Sequence, residues 1–194
     1  DTLRSIRYAH VVVLMLDAST MLEKQDLTIA RMVVEEGRAL VIAANKWDIV
    51  ENREKALGHL RDRLQTSLPQ VKGIPYITIS AERGRNLDKL LHSIVETYDT
   101  WNRRVSTSRL NRWLADMTAQ HSPPLAKGRR IKLRYMTQIK TRPPTFAAFV
   151  SQPTELPEAY IRYLVNGLRE SFQLTAVPIR FYLRGSKNPY VNDD

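Results

Sequence analysis

No cysteine occurs among the 194 residues, which excludes disulfides and thiolate metal sites. The four histidines, His10, His59, His92 and His121, are scattered without ligand spacing, so no imidazole metal site is expected from them. No apolar run approaches the roughly 20 residues that a membrane-spanning helix needs. Nor does the N-terminus show a basic start followed by an apolar stretch and a small-residue cleavage site. The expectation is a soluble protein, and the missing cysteine fits a reducing cytoplasm.

What is present points to a globular chain, with 43% apolar and 26% charged residues. The length suits two domains, each able to bury its own core. The net charge of +10 is divided unevenly. Residues 1–104 carry 16 Lys and Arg against 14 Asp and Glu, whereas residues 105–194 carry 14 against 6. Within the second part, "KGRRIKLRYMTQIKTR" (127–142) has seven basic residues and no acid. Such a stretch attracts phosphate backbones in a salt-dependent way. It also fits a solvated edge strand guarded by Lys and Arg against aggregation. The acid-poor surroundings favour an anionic partner.

The first part alternates strand and helix three times. "AHVVVLMLDA" (9–18) is nearly continuous Val and Leu and is expected to be a strand buried on both faces, as in a covered parallel sheet. A helix follows over 23–37, with Leu27, Ala30, Val33 and Val34 on one face and Gly37 as its stop. "RALVIAANKWD" gives a second buried strand, residues 52–68 a polar helix ended by Pro69, "IPYITIS" (74–80) a third strand, and residues 86–104 a third helix with Asn86 as N-cap. This rhythm calls for a parallel sheet with helices on both faces, whose ligand sites lie at the carboxyl ends of the strands.

One such end reads Asn45-Lys46-Trp47-Asp48. Asn-Lys-x-Asp after a buried strand resembles the guanine-recognition motif of Ras-like P-loop GTPases. The base explains the chemistry: guanine presents adjacent N–H donors at N1 and N2, and one ionised carboxylate accepts both. Adenine has a lone pair at N1 and no amine at C2, so the same carboxylate would be desolvated and unpaired. Sites built on such bonds discriminate by roughly four to five orders of magnitude. Asp48 is therefore the selector. The resemblance implies that Asn45 ties the base loops together and approaches the purine, and that the stem of Lys46 covers the base. Trp47 is expected to pack locally. Ser80-Ala81, at the next strand end, resembles the second base loop of the same family, with the Ala81 N–H meeting guanine O6 and Ser80 supporting the turn.

Other parts of that machinery are absent from the sequence. No G-x-x-x-x-G-K-[ST] cradles phosphates, no switch threonine is recognisable, and no Asp is followed three residues later by Gly. The expectation is that the front half of the GTPase fold is missing, that the chain binds GTP weakly or not at all, and that it does not hydrolyse it. No catalytic residue and no metal ligand is assigned.

The second part reads αββαβ: a helix over 107–121 with Leu110, Trp113, Leu114 and Met117 on one face, strands "RRIKLRYMTQI" and "TFAAFVS" (145–151), a helix over 155–172, and a strand over 177–185. Tyr160, Tyr163, Leu164, Gly167 and Leu168 form the second helix's packing stripe. In the basic strand, Ile131, Leu133 and Tyr135 alternate with Lys132 and Arg134, so one face is expected to enter the core and the other to be cationic. Pro143-Pro144 is expected to rigidify the connection that follows.

The strings "PPLAKGRRIKLRYMTQIKTRPPTFAAFVSQP" and "LPEAYIRYLVNGLRESFQLTAVPIRFYLRGSKNPY" resemble the carboxyl-terminal part of the EngA (Der) family of bacterial tandem-domain ribosome-biogenesis GTPases. The resemblance covers essentially the whole chain. It implies an α/β fold in which residues 1–104 are the C-terminal part of the second Ras-like GTPase domain, a parallel sheet with flanking helices lacking phosphate loop and switches. Residues 105–194 would be a small α+β KH-like domain. It further implies GTP hydrolysis coupled to large ribosomal subunit assembly, GTP or GDP with Mg2+ as cofactors of the complete protein, and no tightly bound cofactor for this piece. The implied partners are the large subunit with its ribosomal RNA and the N-terminal GTPase domain of the same protein.

A KH domain ordinarily grips about four nucleotides through a G-x-x-G loop, and no G-x-x-G occurs here. Phosphate contacts are expected instead from Lys127, Arg129, Arg130, Lys132, Arg134, Lys140 and Arg142, with Lys187 as an outlier. Tyr135, Phe146 and Phe149 are either stacking groups or core. Two alternative functions stand beside the GTPase: a non-catalytic RNA or ribosome adaptor on a degenerate nucleotide fold, and a KH-like docking module that reports nucleotide state.

Overall fold

The computed structural model describes residues 2–20 and 22–185, which form two compact units. Of the described residues, the first comprises 2–20, 22–103 and 174–178, the second 104–173 and 179–185.

In the first unit, helix α1 (Thr2–Tyr8) leads into strand β1 (Val11–Asp17), helix α2 (Lys24–Glu35), strand β2 (Ala39–Asn45), helix α3 (Arg53–Ser67), strand β3 (Tyr76–Thr78) and helix α4 (Leu87–Trp101). The three strands are parallel in the order β1-β2-β3. Strand β2 lies in the middle, and every residue from Ala39 to Ala44 is buried, as its unbroken apolar run requires. Leu14, Leu16, Leu40 and Ile42 share one core with Ala30, Val33 and Val34 of α2 and with Leu60 and Leu64 of α3. Val41 and Ala43 face the other way, against Ile79 and Leu90. Gly37, with φ +76°, ends α2 in a conformation that glycine reaches without strain.

Two expectations change here. Strand β1 is not buried on both faces: Met15 is 52% exposed and Val11 to Val13 are half-buried. Its single strand neighbour among the described residues is β2, so its far edge lacks the cover that the continuous apolar run anticipates. Asn86 is the N-cap residue of α4 as expected, but in the left-handed region (φ 58°) and without a side-chain capping bond; its Nδ2 instead donates to the Thr78 carbonyl at 2.8 Å, tying the turn back to β3. Asn52, by contrast, caps α3 by accepting from the Lys55 N–H at 3.0 Å.

The second unit runs through helix α5 (Thr107–Gln120), strands β4 (Leu125–Ala126), β5 (Arg129–Arg130), β6 (Leu133–Lys140) and β7 (Thr145–Val150), helix α6 (Glu158–Ser171) and strand β8 (Arg180–Gly185). Strands β6 and β7 are antiparallel, and β8 joins β7 in parallel. Leu110, Trp113, Leu114 and Met117 are buried on α5, and Tyr160, Leu164 and Leu168 on α6, as their spacing anticipates. Gly167 permits a close approach of these helices: a Cβ there would lie 2.4 Å from Met117 Cε and 3.1 Å from the Trp113 ring.

The expected basic strand of residues 129–139 is in fact two pieces. Its start pairs backwards as β5 with β4, around a two-residue turn in which Lys127 (φ 50°) and Gly128 (φ 75°) are both left-handed, the geometry of a tight hairpin. Ile131 is buried between the two pieces. A register shift between Leu133 and Tyr135 then breaks the alternation, so that Arg134 and Tyr135 are both exposed and Met136 and Gln138 turn inward.

Candidate functional site

The carboxyl ends of β1, β2 and the segment after β3 bring together Asp17, Asn45 and Ser80. Asp17 stands level with Asn45 across the parallel pair. Beyond Asn45 the chain turns through Lys46 in the left-handed region (φ 62°) into a 3-10 turn at Trp47–Ile49. That turn is held from the next strand end by the Trp47 N–H, which donates to the Ile79 carbonyl at 3.0 Å. Asn45 Oδ1 accepts from the Ala81 N–H at 2.9 Å, joining the two loops directly. The Ala81 N–H, assigned to guanine O6 by resemblance, is thus engaged by Asn45 in this state.

The second loop is compact. Ser80 and Arg85 bridge through their backbones at 3.3 and 3.0 Å, closing a four-residue turn in which Gly84 has φ +64°. Ser80 is buried, and its Oγ accepts from the Arg83 N–H at 3.3 Å.

Asp48 lies beneath this turn, its side chain 7% exposed. The Ser80 hydroxyl beside it holds its carboxyl below the ordinary carboxylate range, with Arg83 and Arg85 adding positive charge. Arg83 Nε sits 3.3 Å from Asp48 Oδ2. The lowered range favours an ionised, acceptor-only carboxylate, here contacted by the Ser80 hydroxyl and Arg83.

Sequence reasoning missed two participants. Asp17 pairs with Lys46 Nζ at 2.6 Å, and that bond, with two more from Ser19, holds its carboxyl far below the usual range while raising the Lys46 ammonium. The ion pair stretches the Lys46 stem across the strand ends. An acid closing the apolar run "VVVLMLD" was the available signal, parallel to the polar groups closing "ALVIAAN". Arg83 had no local signal, because its partner lies 35 residues earlier.

The sequence offers no phosphate-cradling loop, and among the described residues no group of three His, Asp or Glu side chains is placed to hold a metal ion.

The basic residues of the second unit fall into two groups. Lys127 at the hairpin tip, Arg129 and Arg130 on β5, and Lys132 and Arg134 near the start of β6 are exposed together at one end of the sheet. Lys140 and Arg142 lie at the other end of β6, about 20–25 Å away for a strand of eight residues. Lys127 also pairs with Glu155 at 3.6 Å. Lys187 lies outside the described residues. Phe146 is core at 0% exposure, whereas Tyr135 is 42% exposed against a half-buried Phe149.

Residues 1–100 match the model of the elongation factor Tu GTP binding domain, and residues 104–184 match the C-terminal KH-domain-like model of EngA bacterial GTPase enzymes. GTPase Der of Brucella anthropi is 53% identical over 190 residues, 98% of this chain. The chain belongs to the EngA (Der) family of GTPases. A further member, GTPase Der of Agrobacterium fabrum, is 51% identical over 98% of the chain. The chain spans 39% of the length of the first of these family members and 40% of the second. The solved structure of Era in complex with MgGDPNP and nucleotides 1506-1542 of 16S ribosomal RNA covers 95% of this chain and 68% of that one, at 16% identity and a TM-score of 0.44. A likeness at that level decides nothing here. No helix among the described residues is long and apolar enough to cross a membrane.

Proposed function

We propose that the chain is the rear of the second GTPase domain of an EngA-family protein together with its KH-like domain, and that the complete protein is a cytoplasmic GTPase of large ribosomal subunit assembly using GTP or GDP with Mg2+. In this reading Asn45, Lys46, Asp48, Ser80 and Ala81 form the guanine pocket, and the basic residues of the second unit contact ribosomal RNA. The observation that carries it is geometric: the Asp48 carboxylate, 7% exposed, sits at two loops that the Ala81 N–H to Asn45 Oδ1 bond locks together at 2.9 Å.

The mechanism follows from donor counting. Guanine N1–H and N2–H together satisfy the carboxylate, while adenine leaves it desolvated and unpaired. Lys46, whose ammonium is anchored by Asp17, covers the base with its aliphatic stem in this reading. Exposed apolar groups on β1 (Met15) and α4 (Leu91 and Val95, 64% and 58% exposed) offer surface for the remainder of the GTPase domain.

The test is an NMR titration of this chain with GMP and AMP, accompanied by a phosphate-release assay with GTP. Shifts of the Asn45, Asp48 and Ala81 amides with GMP and not AMP are expected, without hydrolysis. Equal responses to both nucleotides, or a clear intrinsic GTPase rate, contradict the reading. For the basic residues, replacing Arg129, Arg130 and Lys132 by Glu is expected to weaken ribosome or RNA binding and flatten its salt dependence. Unchanged binding and slope would make them a guarded edge only.

A further inference from the structure

Between Asp116 and Glu155, and again from Ser171 to Gly185, the sequence contains no Asp or Glu. Strands β4 to β8 therefore carry no carboxylate at all. Strand register sorts their side chains. Tyr135 stands opposite Phe149, Phe149 opposite Arg184, and Ala147 opposite Tyr182, which places Tyr135, Phe149, Tyr182 and Arg184 on one face, because paired residues share a face. Met136 and Phe146, on the opposite face, are fully buried.

At the same corner, the Lys132 carbonyl accepts from the Ser151 N–H at 2.9 Å and the Lys132 N–H donates to Ser151 Oγ at 3.0 Å, and the register shift turns Arg134 outward next to Tyr135. Tyr135 and Tyr182 are 42% and 48% exposed. The Tyr135 ring is braced by Phe149, with centroids 5.7 Å apart, which limits the entropy lost when a base stacks on it. Cations alone would attract any polyanion. Exposed rings beside them offer a π-surface that only unstacked bases can use, and a duplex has none to offer.

We propose that this corner of the sheet binds single-stranded RNA, with bases stacking on Tyr135 and Tyr182 and phosphates held by Lys132, Arg134 and Arg184. The assignment rests on the RNA reading above and adds where the strand lies and in which form. It needs no G-x-x-G loop, since the rings supply what a backbone clamp would otherwise provide.

Fluorescence anisotropy over a salt series, with a short single-stranded RNA and a duplex of the same composition, tests it. Tyr135→Ala and Tyr182→Ala are each expected to weaken single-strand binding by about 5- to 100-fold while leaving the salt slope and duplex binding unchanged. Tyr135→Phe keeps the ring and is expected to bind as the parent does, which separates stacking from damage to the fold. The pair Lys132→Gln and Arg134→Gln is expected to lower the salt slope by about 1.4. If the glutamine variants weaken binding and the alanine variants do not, the stacking surface is wrong and the RNA reading stands. If RNA binds and none of these changes alters it, this corner is not the site and the proposal falls alone; if the chain binds neither RNA, both fall.

Discussion

Arg83 Nε lies 3.3 Å from the Asp48 carboxylate, so an arginine of the loop after β3 occupies the acceptor on which the proposed guanine selection depends. The guanidinium offers the carboxylate N–H donors, as guanine does, and a base must displace it. Arg83 is more than half exposed and Asp48 is not, so the arginine is the mobile partner. Arg83→Ala is expected to tighten GMP binding by about two- to fivefold, the range of an exposed ion pair. Isothermal or NMR titration checks this, and weaker binding by the variant would show that Arg83 supports the loop instead.

The pH profile of the pocket follows from the direction of its shifts. Asp48 and Asp17 are both held below the ordinary carboxylate range. A depressed folded pKa contributes stability that is present above the unfolded value of about 3.9 and is lost as pH falls through the folded one. GMP affinity and the stability of the first unit are therefore expected to show no Asp48 or Asp17 titration between neutral pH and that value, and to decline only below it. Titration of GMP affinity with a midpoint near 6 would contradict the assignment of an ionised Asp48.

In the second unit, Asn111 of α5 acts as a substitute strand. Its Nδ2 donates to the Met136 carbonyl at 2.9 Å and its Oδ1 accepts from the Met136 N–H at 2.9 Å. Asn111→Ala removes both partners from the edge of β6 and is expected to cost about 1–3 kcal/mol in urea unfolding, with faster hydrogen exchange at the Met136 amide. Protection equal to the parent's would mean that another group satisfies that edge.

Much of this was readable from periodicity. Strand β2 and the inner faces of α2, α5 and α6 appear where apolar spacing puts them, because burial on one side is a local property of the pattern. The misses depend on neighbours. The exposure of Met15 reflects which strand lies beside β1, not the composition of β1. The hairpin at Lys127-Gly128 needs two positive φ angles, and a Lys in the first of them is a weak turn signal. The shift before Tyr135 reverses an otherwise sound alternation and converts an expected core ring into an exposed one. In the proposed base pocket, Asn45, Lys46 and Asp48 announced themselves as a motif, while Asp17 and Arg83 act through partners 29 and 35 positions away.

The central claim is that Asp48 selects guanine, and Asp48→Asn tests it most directly by competition between GMP and XMP. Xanthine carries a carbonyl at C2 that accepts from the new amide, where guanine's amine clashes with it donor to donor. The expected result is a reversal of preference from GMP to XMP, with the fold unchanged. Retention of guanine selectivity by the variant would contradict the account.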